Sequence, residues 1–160
     1  MRKIIDFIAK LELVISACFL SIFVVTTFIQ VISRYFHISV IWTEELSVNA
    51  FIWSILLGAA VMTRKKRHFS FSFLKNKIES EKYKCVLSLM QNGIILCFSI
   101  VCLIYSAEIT SSFWNSKWVT IPAFRQGYVW LILPITFSSI ILFLLEDSFE
   151  KMSLLIRKKQ

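Results

Sequence analysis

The sequence predicts an all-α membrane protein: four transmembrane helices joined by short interfacial segments, with both termini in the cytoplasm. Three observations predict it. Four apolar stretches approach or exceed the ~20 residues that a helix needs to cross a bilayer. The composition, 57% hydrophobic and 15% aromatic with three Gly and two Pro, is too apolar for a soluble domain of 160 residues. The basic residues fall almost entirely in alternate connecting segments.

The first stretch, residues 11–33, carries a single acid, Glu12, at its start. At ~1.5 Å per residue it reaches about 34 Å, enough to span with some tilt. Arg2 and Lys3 precede it, and the ISAC of residues 15–18 looks like a lipoprotein cleavage box. Asp6, Lys10 and Glu12 interrupt the place where a signal peptide would be apolar, and the run continues past Cys18. It reads as a retained anchor. The second stretch, 46–63, and the third, 85–106, carry no charge. The fourth, 128–145, is also uncharged and is closed by Glu146 and Asp147. Residues 1–160 therefore read as one four-helix integral membrane domain.

Lys and Arg number three in residues 1–10, one in 34–45, eight in 64–84, two in 107–127 and four in 147–160. The first, third and fifth segments hold fifteen of the eighteen. The positive-inside rule places these segments in the cytoplasm. Trp42, Trp114, Trp118 and Trp130 fall at the opposite interface, as an aromatic belt would, and Trp53 lies inside a span. The net charge of +8 is thus a topology signal and a contact for anionic lipid heads, not a nucleic-acid surface. Cys18, Cys85, Cys97 and Cys102 lie within or at the edges of spans, without a CxxC and far from His37 and His68. That pattern argues against a zinc site or a disulfide framework.

Chemistry gathers before the second span, at the adjacent acids Glu44 and Glu45. Neighbouring helical positions diverge by about 100°, so these two do not converge as a catalytic dyad. No nucleophile set or glycine-rich phosphate loop stands elsewhere, so neither an enzyme nor a cofactor or metal site is expected. Glu44, Glu45, Glu108 and Glu146 sit at the water boundary, whereas carriers place coupling carboxylates near the midplane. Such a chain is poorly equipped to move a solute alone. Gln30, Asn49, Ser54, Gln91, Asn92, Thr136, Ser138 and Ser139 read as groups that hydrogen-bond between helices. Ala50, Ser54 and Gly58 form a small-residue face that lets another helix approach. Thr43 reads as the N-cap of the second helix, with both acids favouring its dipole. Arg34, on the same side of the membrane, is placed to pair with either acid.

The order of QVISRYF, WTEEL, FIW, LGAAV, Arg64 and His68 resembles the small membrane subunit of tripartite ATP-independent periplasmic (TRAP) transporters, the DctQ-like family. Agreement is dense over residues 30–68 and looser at Gly127-Tyr128 and Pro134. Ser47, Val48 and Asn49 depart from the Arg and aromatics that often follow Glu-Glu-Leu, and Arg67 precedes His68 where many relatives have a neutral residue. The resemblance implies a scaffold subunit of a sodium-coupled, binding-protein-dependent transporter that imports a small organic anion across the bacterial inner membrane. It implies that sodium binds a large elevator-type permease subunit, with no cofactor on this chain. The implied partners are that large subunit, a periplasmic solute-binding protein and membrane lipids. Arg34, Trp42, Glu44, Glu45, Ala50, Ser54 and Gly58 are the candidate interface. One carboxylate is expected to pair with Arg34, and the other, near Trp42, to face a partner. The alternative is a free-standing four-helix protein, a small exporter or an assembly factor. Small exporters carry an essential acid inside the first span, whereas Glu12 lies at the end of its run.

Overall fold

The computed structural model describes the backbone of residues 2–38, 40–65 and 81–157. The basic segment 66–80, with Arg67 and His68, lies outside the described residues. Among the described residues, five helices follow in order: α1 (Arg2–Tyr35), α2 (Trp42–Arg64), α3 (Glu81–Ser112), α4 (Gln126–Trp130) and α5 (Ile132–Arg157). Four segments are long and apolar enough to cross a membrane: Lys3–Tyr35, Trp42–Arg64, Val86–Ser112 and Gln126–Ser153. The last combines α4 and α5, which are bridged at Leu131 by bonds of its N–H to Gly127 and of the Ile135 N–H to its own carbonyl. The four predicted stretches fall inside these helices. The helices run further because backbone bonding continues into the polar flanks until a local signal stops it.

At the end of α1 that signal is a left-handed residue. His37 adopts φ 58°. The Ile38 N–H donates to Ser33 and the His37 N–H to Arg34, at 2.9 and 3.1 Å. This is a Schellman closure, with His in the position that Gly usually takes.

α1 packs along α2, α2 on α5, and α5 on α3. The lateral order is thus α1–α2–α5–α3, with α1 and α3 at the edges. On α1 the inward residues are Ala9, Glu12, Ser16, Phe19, Phe23, Thr26, Gln30 and Ser33, in alternating steps of three and four. On α2 they are Thr43, Ser47, Ala50, Ser54, Leu57 and Val61. Such heptad spacing suits the left-handed crossing of ~20° common in helix bundles.

The seams are small and hydroxyl-rich, while large apolar side chains such as Phe28, Ile94 and Phe98 point outward. In lipid, apolar surface gains nothing by leaving its surroundings, so close contact between small side chains holds the helices together. Most hydroxyls bond back to their own helix: Thr26 to Ile22, Ser33 to Gln30, Ser99 to Ile95 and Ser106 to Leu103. Bonding between helices holds for Asn92, which donates to Asp147 at 2.8 Å and Ser148 at 3.2 Å, and for Ser139, which donates to Glu12.

On the side carrying residues 2 and 157, Arg64 bonds Asp6 at 2.8 Å and also Glu146, joining α1, α2 and α5. Beneath this group lies a core of Ala9, Ala60, Ile140, Phe143 and Leu144.

Candidate functional site

Opposite that ionic group, the segment between α3 and α4 folds into a small hairpin. The Trp118 N–H bonds the Phe124 carbonyl at 3.0 Å, and the Gln126 N–H bonds the Ser116 carbonyl at 2.7 Å. Lys117 and Arg125 face each other as an antiparallel bridge. The tip closes through Phe124 N–H to Ile121 at 2.9 Å, with Pro122 in the second turn position, where its fixed φ fits. Extended backbone alternates its faces. Trp118 therefore turns under and is buried, whereas Val119 is 90% exposed.

Glu45 anchors this hairpin. Its carboxylate accepts the N–H of Val119 at 3.1 Å, the N–H of Thr120 at 3.0 Å and the Thr120 hydroxyl. An ionised acceptor strengthens such bonds relative to a neutral one. Glu44, one position earlier, points away and is exposed. The two acids thus differ in their bonding, although both border one shallow cavity.

Several details differ from expectation. Arg34 is exposed and, among the described residues, forms no ion pair with either acid. The oxygens of Glu45 are already taken by three nearer donors, and a cation in the last turn of α1 is favoured by that helix's own terminal carbonyls. Thr43 is not the N-cap. α2 starts at Trp42 with Ile41 in the cap position, and the buried Thr43 hydroxyl donates to Val40 at 2.8 Å. The Ala50/Ser54/Gly58 face, by contrast, does lie against another helix as its small residues suggest, and that helix is α1 of this chain. Ser16 Oγ donates to the Ser54 carbonyl at 2.9 Å, and a Cβ on Gly58 would stand 3.5 Å from the same oxygen. Trp42 stays exposed. Glu12 is not terminal either. α1 begins ten residues before it, so its carboxylate lies about 15 Å along the helix, buried against Ser139 of α5.

Gly127 has a role that sequence alone did not reveal. A Cβ there would meet the Trp114 backbone at 2.7 Å, so only hydrogen fits where α4 crosses the end of α3. Gly127→Ala is expected to lower stability by about 1–3 kcal/mol through overpacking, read as a drop in thermal midpoint. Gly93→Ala is the control: its Cβ meets nothing within 4 Å, so the midpoint should hold or rise.

The family model described as tripartite ATP-independent periplasmic transporters, DctQ component, matches residues 23–154. A protein of Haemophilus influenzae described as a TRAP transporter small permease protein is 33% identical over 79 residues, 49% of this chain and 49% of the relative. The sialic acid TRAP transporter permease protein SiaT, from another strain of that species, is 33% identical over 69 residues, 42% of this chain and 11% of the relative. The alignments thus span about half of the first relative and about a tenth of the second. The family match runs from α1 into α5 and takes in Glu45 and the hairpin it holds: this chain belongs to the DctQ components, the small membrane subunits of TRAP transporters.

Proposed function

We propose that this chain is the scaffold subunit of a sodium-coupled importer of a small organic anion. It packs beside a large permease subunit that carries the sodium and substrate sites, and it receives a periplasmic solute-binding protein. The observation that carries this reading is the match over residues 23–154 to a family defined as one component of a tripartite transporter. The solute belongs to the class exemplified by sialic acid, the name attached to one relative. The fifteen-to-three split of basic residues supports an inner-membrane placement with the Arg64 side in the cytoplasm and the hairpin in the periplasm. In that orientation Trp42 and Val119 lie exposed on the side offered to the binding protein.

Reconstitution tests the proposal. The chain alone in liposomes should give no uptake under a sodium gradient, and adding the large subunit and binding protein should restore it. Uptake by the chain alone would sink the scaffold reading. Labelling of a single Cys at position 119 from the periplasm of intact cells is expected; labelling only after lysis would reverse the orientation.

A further inference from the structure

Two cavities meet at α2 on the hairpin side. The deeper one, about 460 Å³, lies between α1, α2, the hairpin and α4, and is walled by Phe19, Leu46, Trp53, Trp118, Phe124 and Tyr128. Its depth along α2 from Leu46 to Trp53 is about 10 Å, so it sits inside the span rather than in water. The shallower one, about 330 Å³, surrounds Glu44 and Glu45 with Thr120 and Gln126. Asn49 lines both, so an apolar chamber adjoins an acidic vestibule.

The two parts ask for different chemistry. A chamber of this size, lined by apolar and aromatic side chains within a span, suits a hydrocarbon chain. The vestibule asks for a cation: among the described residues, neither Glu44 nor Glu45 pairs with one. One ligand meets both demands.

We propose that this cleft holds a phospholipid with an ammonium headgroup, one acyl chain in the aromatic chamber and the ammonium at Glu44. Glu45 is spent on the hairpin, which leaves Glu44 as the discriminating group. Anionic lipids lack the ammonium and bring a net negative charge to the two carboxylates. The site does not depend on which solute the transporter carries, or on the transporter reading at all.

The test uses the full chain, purified in detergent and stripped of lipid. It is titrated with phosphatidylethanolamine or phosphatidylglycerol of matched acyl chains, read by native mass spectrometry and thermal unfolding. One phosphatidylethanolamine adduct is expected, preferred about tenfold, as a partly desolvated ion pair can supply, together with a raised unfolding midpoint. Glu44→Gln should keep the adduct and erase the preference. Leu46→Trp, which fills the chamber, should remove the adduct with either lipid. Because Glu44 is exposed, its variant folds whatever Leu46→Trp does. Equal binding of the two lipids by the unaltered chain, a preference that survives Glu44→Gln, or no adduct at all overturns the proposal.

Discussion

Glu45→Ala is expected to free the hairpin while leaving the four spans assembled. The side chain reaches across 74 residues to accept two backbone N–H groups and a hydroxyl, and none of these touches the helix seams. A hydrogen bond to a charged group is worth about 1.5–3 kcal/mol, and the partial exposure of Glu45 argues for the lower end. A loss of about 2 kcal/mol multiplies local opening roughly 30-fold. Hydrogen exchange at the Val119 and Thr120 amides should quicken by about that factor, with little change in the spans. Glu45→Gln should fall between, because the amide keeps one acceptor oxygen but turns a donor toward other donors. Thr120→Val should be non-additive with it, by about 0.5 kcal/mol or more. Glu44→Gln should leave those amides unchanged. If all the single variants exchange alike, the carboxylate is not what holds the hairpin.

Arg64→Leu should produce the largest loss of global stability. Arg64 is 16% exposed and answers two carboxylates at once, Asp6 from α1 and Glu146 from α5. Glu146 is itself only 18% exposed. Removing the cation leaves it unpaired beside the apolar core of Ala60, Ile140 and Phe143. Breaking a buried pair from one side costs about 3–5 kcal/mol, and the half-exposed Asp6 moderates this toward about 3 kcal/mol. The double variant Arg64→Leu/Glu146→Leu should recover much of the loss, since replacing both partners by apolar residues is often close to neutral. Thermal unfolding in a fixed detergent reads both. A double variant no better than the single one would show that geometry, not the stranded charge, is at stake.

How much of this was legible beforehand follows from range. The spans were readable because ~20 apolar residues in a row are a local property that the bilayer demands outright. The divergence of Glu44 and Glu45 was readable for the same reason, since it depends on helical angle alone. Arg34 suggests itself as partner because it lies on the same side of the membrane, only ten residues before Glu44. The true partners, Val119 and Thr120, sit in a connection whose course is set by a Pro122 turn and by Trp118 turning under. No local periodicity encodes that contact. Thr43 was misplaced as a cap because Ser and Thr also bond back within a helix, and only the buried face of α2 decides between the two. The Ser, Thr and Asn residues were recognised as interior, but most hydroxyls satisfy themselves on their own carbonyls. Their small volume, rather than their polarity, is what the seams use. Glu12 was set at a boundary because hydropathy marks where a run begins and not where its helix does.

The lateral order α1–α2–α5–α3 has a consequence for how the chain is made. Synthesis delivers the helices in one sequence and the bundle arranges them in another. α3 emerges third yet ends at the rim, and α5 emerges last yet stands between α2 and α3. Until the ribosome has finished residues 132–157, α2 has a neighbour on one flank only, and Ala60 faces a gap that Ile140, Phe143 and Leu144 later fill. α3 meanwhile waits without the helix it is built to lean on. The final span is the keystone: until it slides into place, α2 and the α3 side can be joined only at the hairpin end, through Glu45 and Trp53.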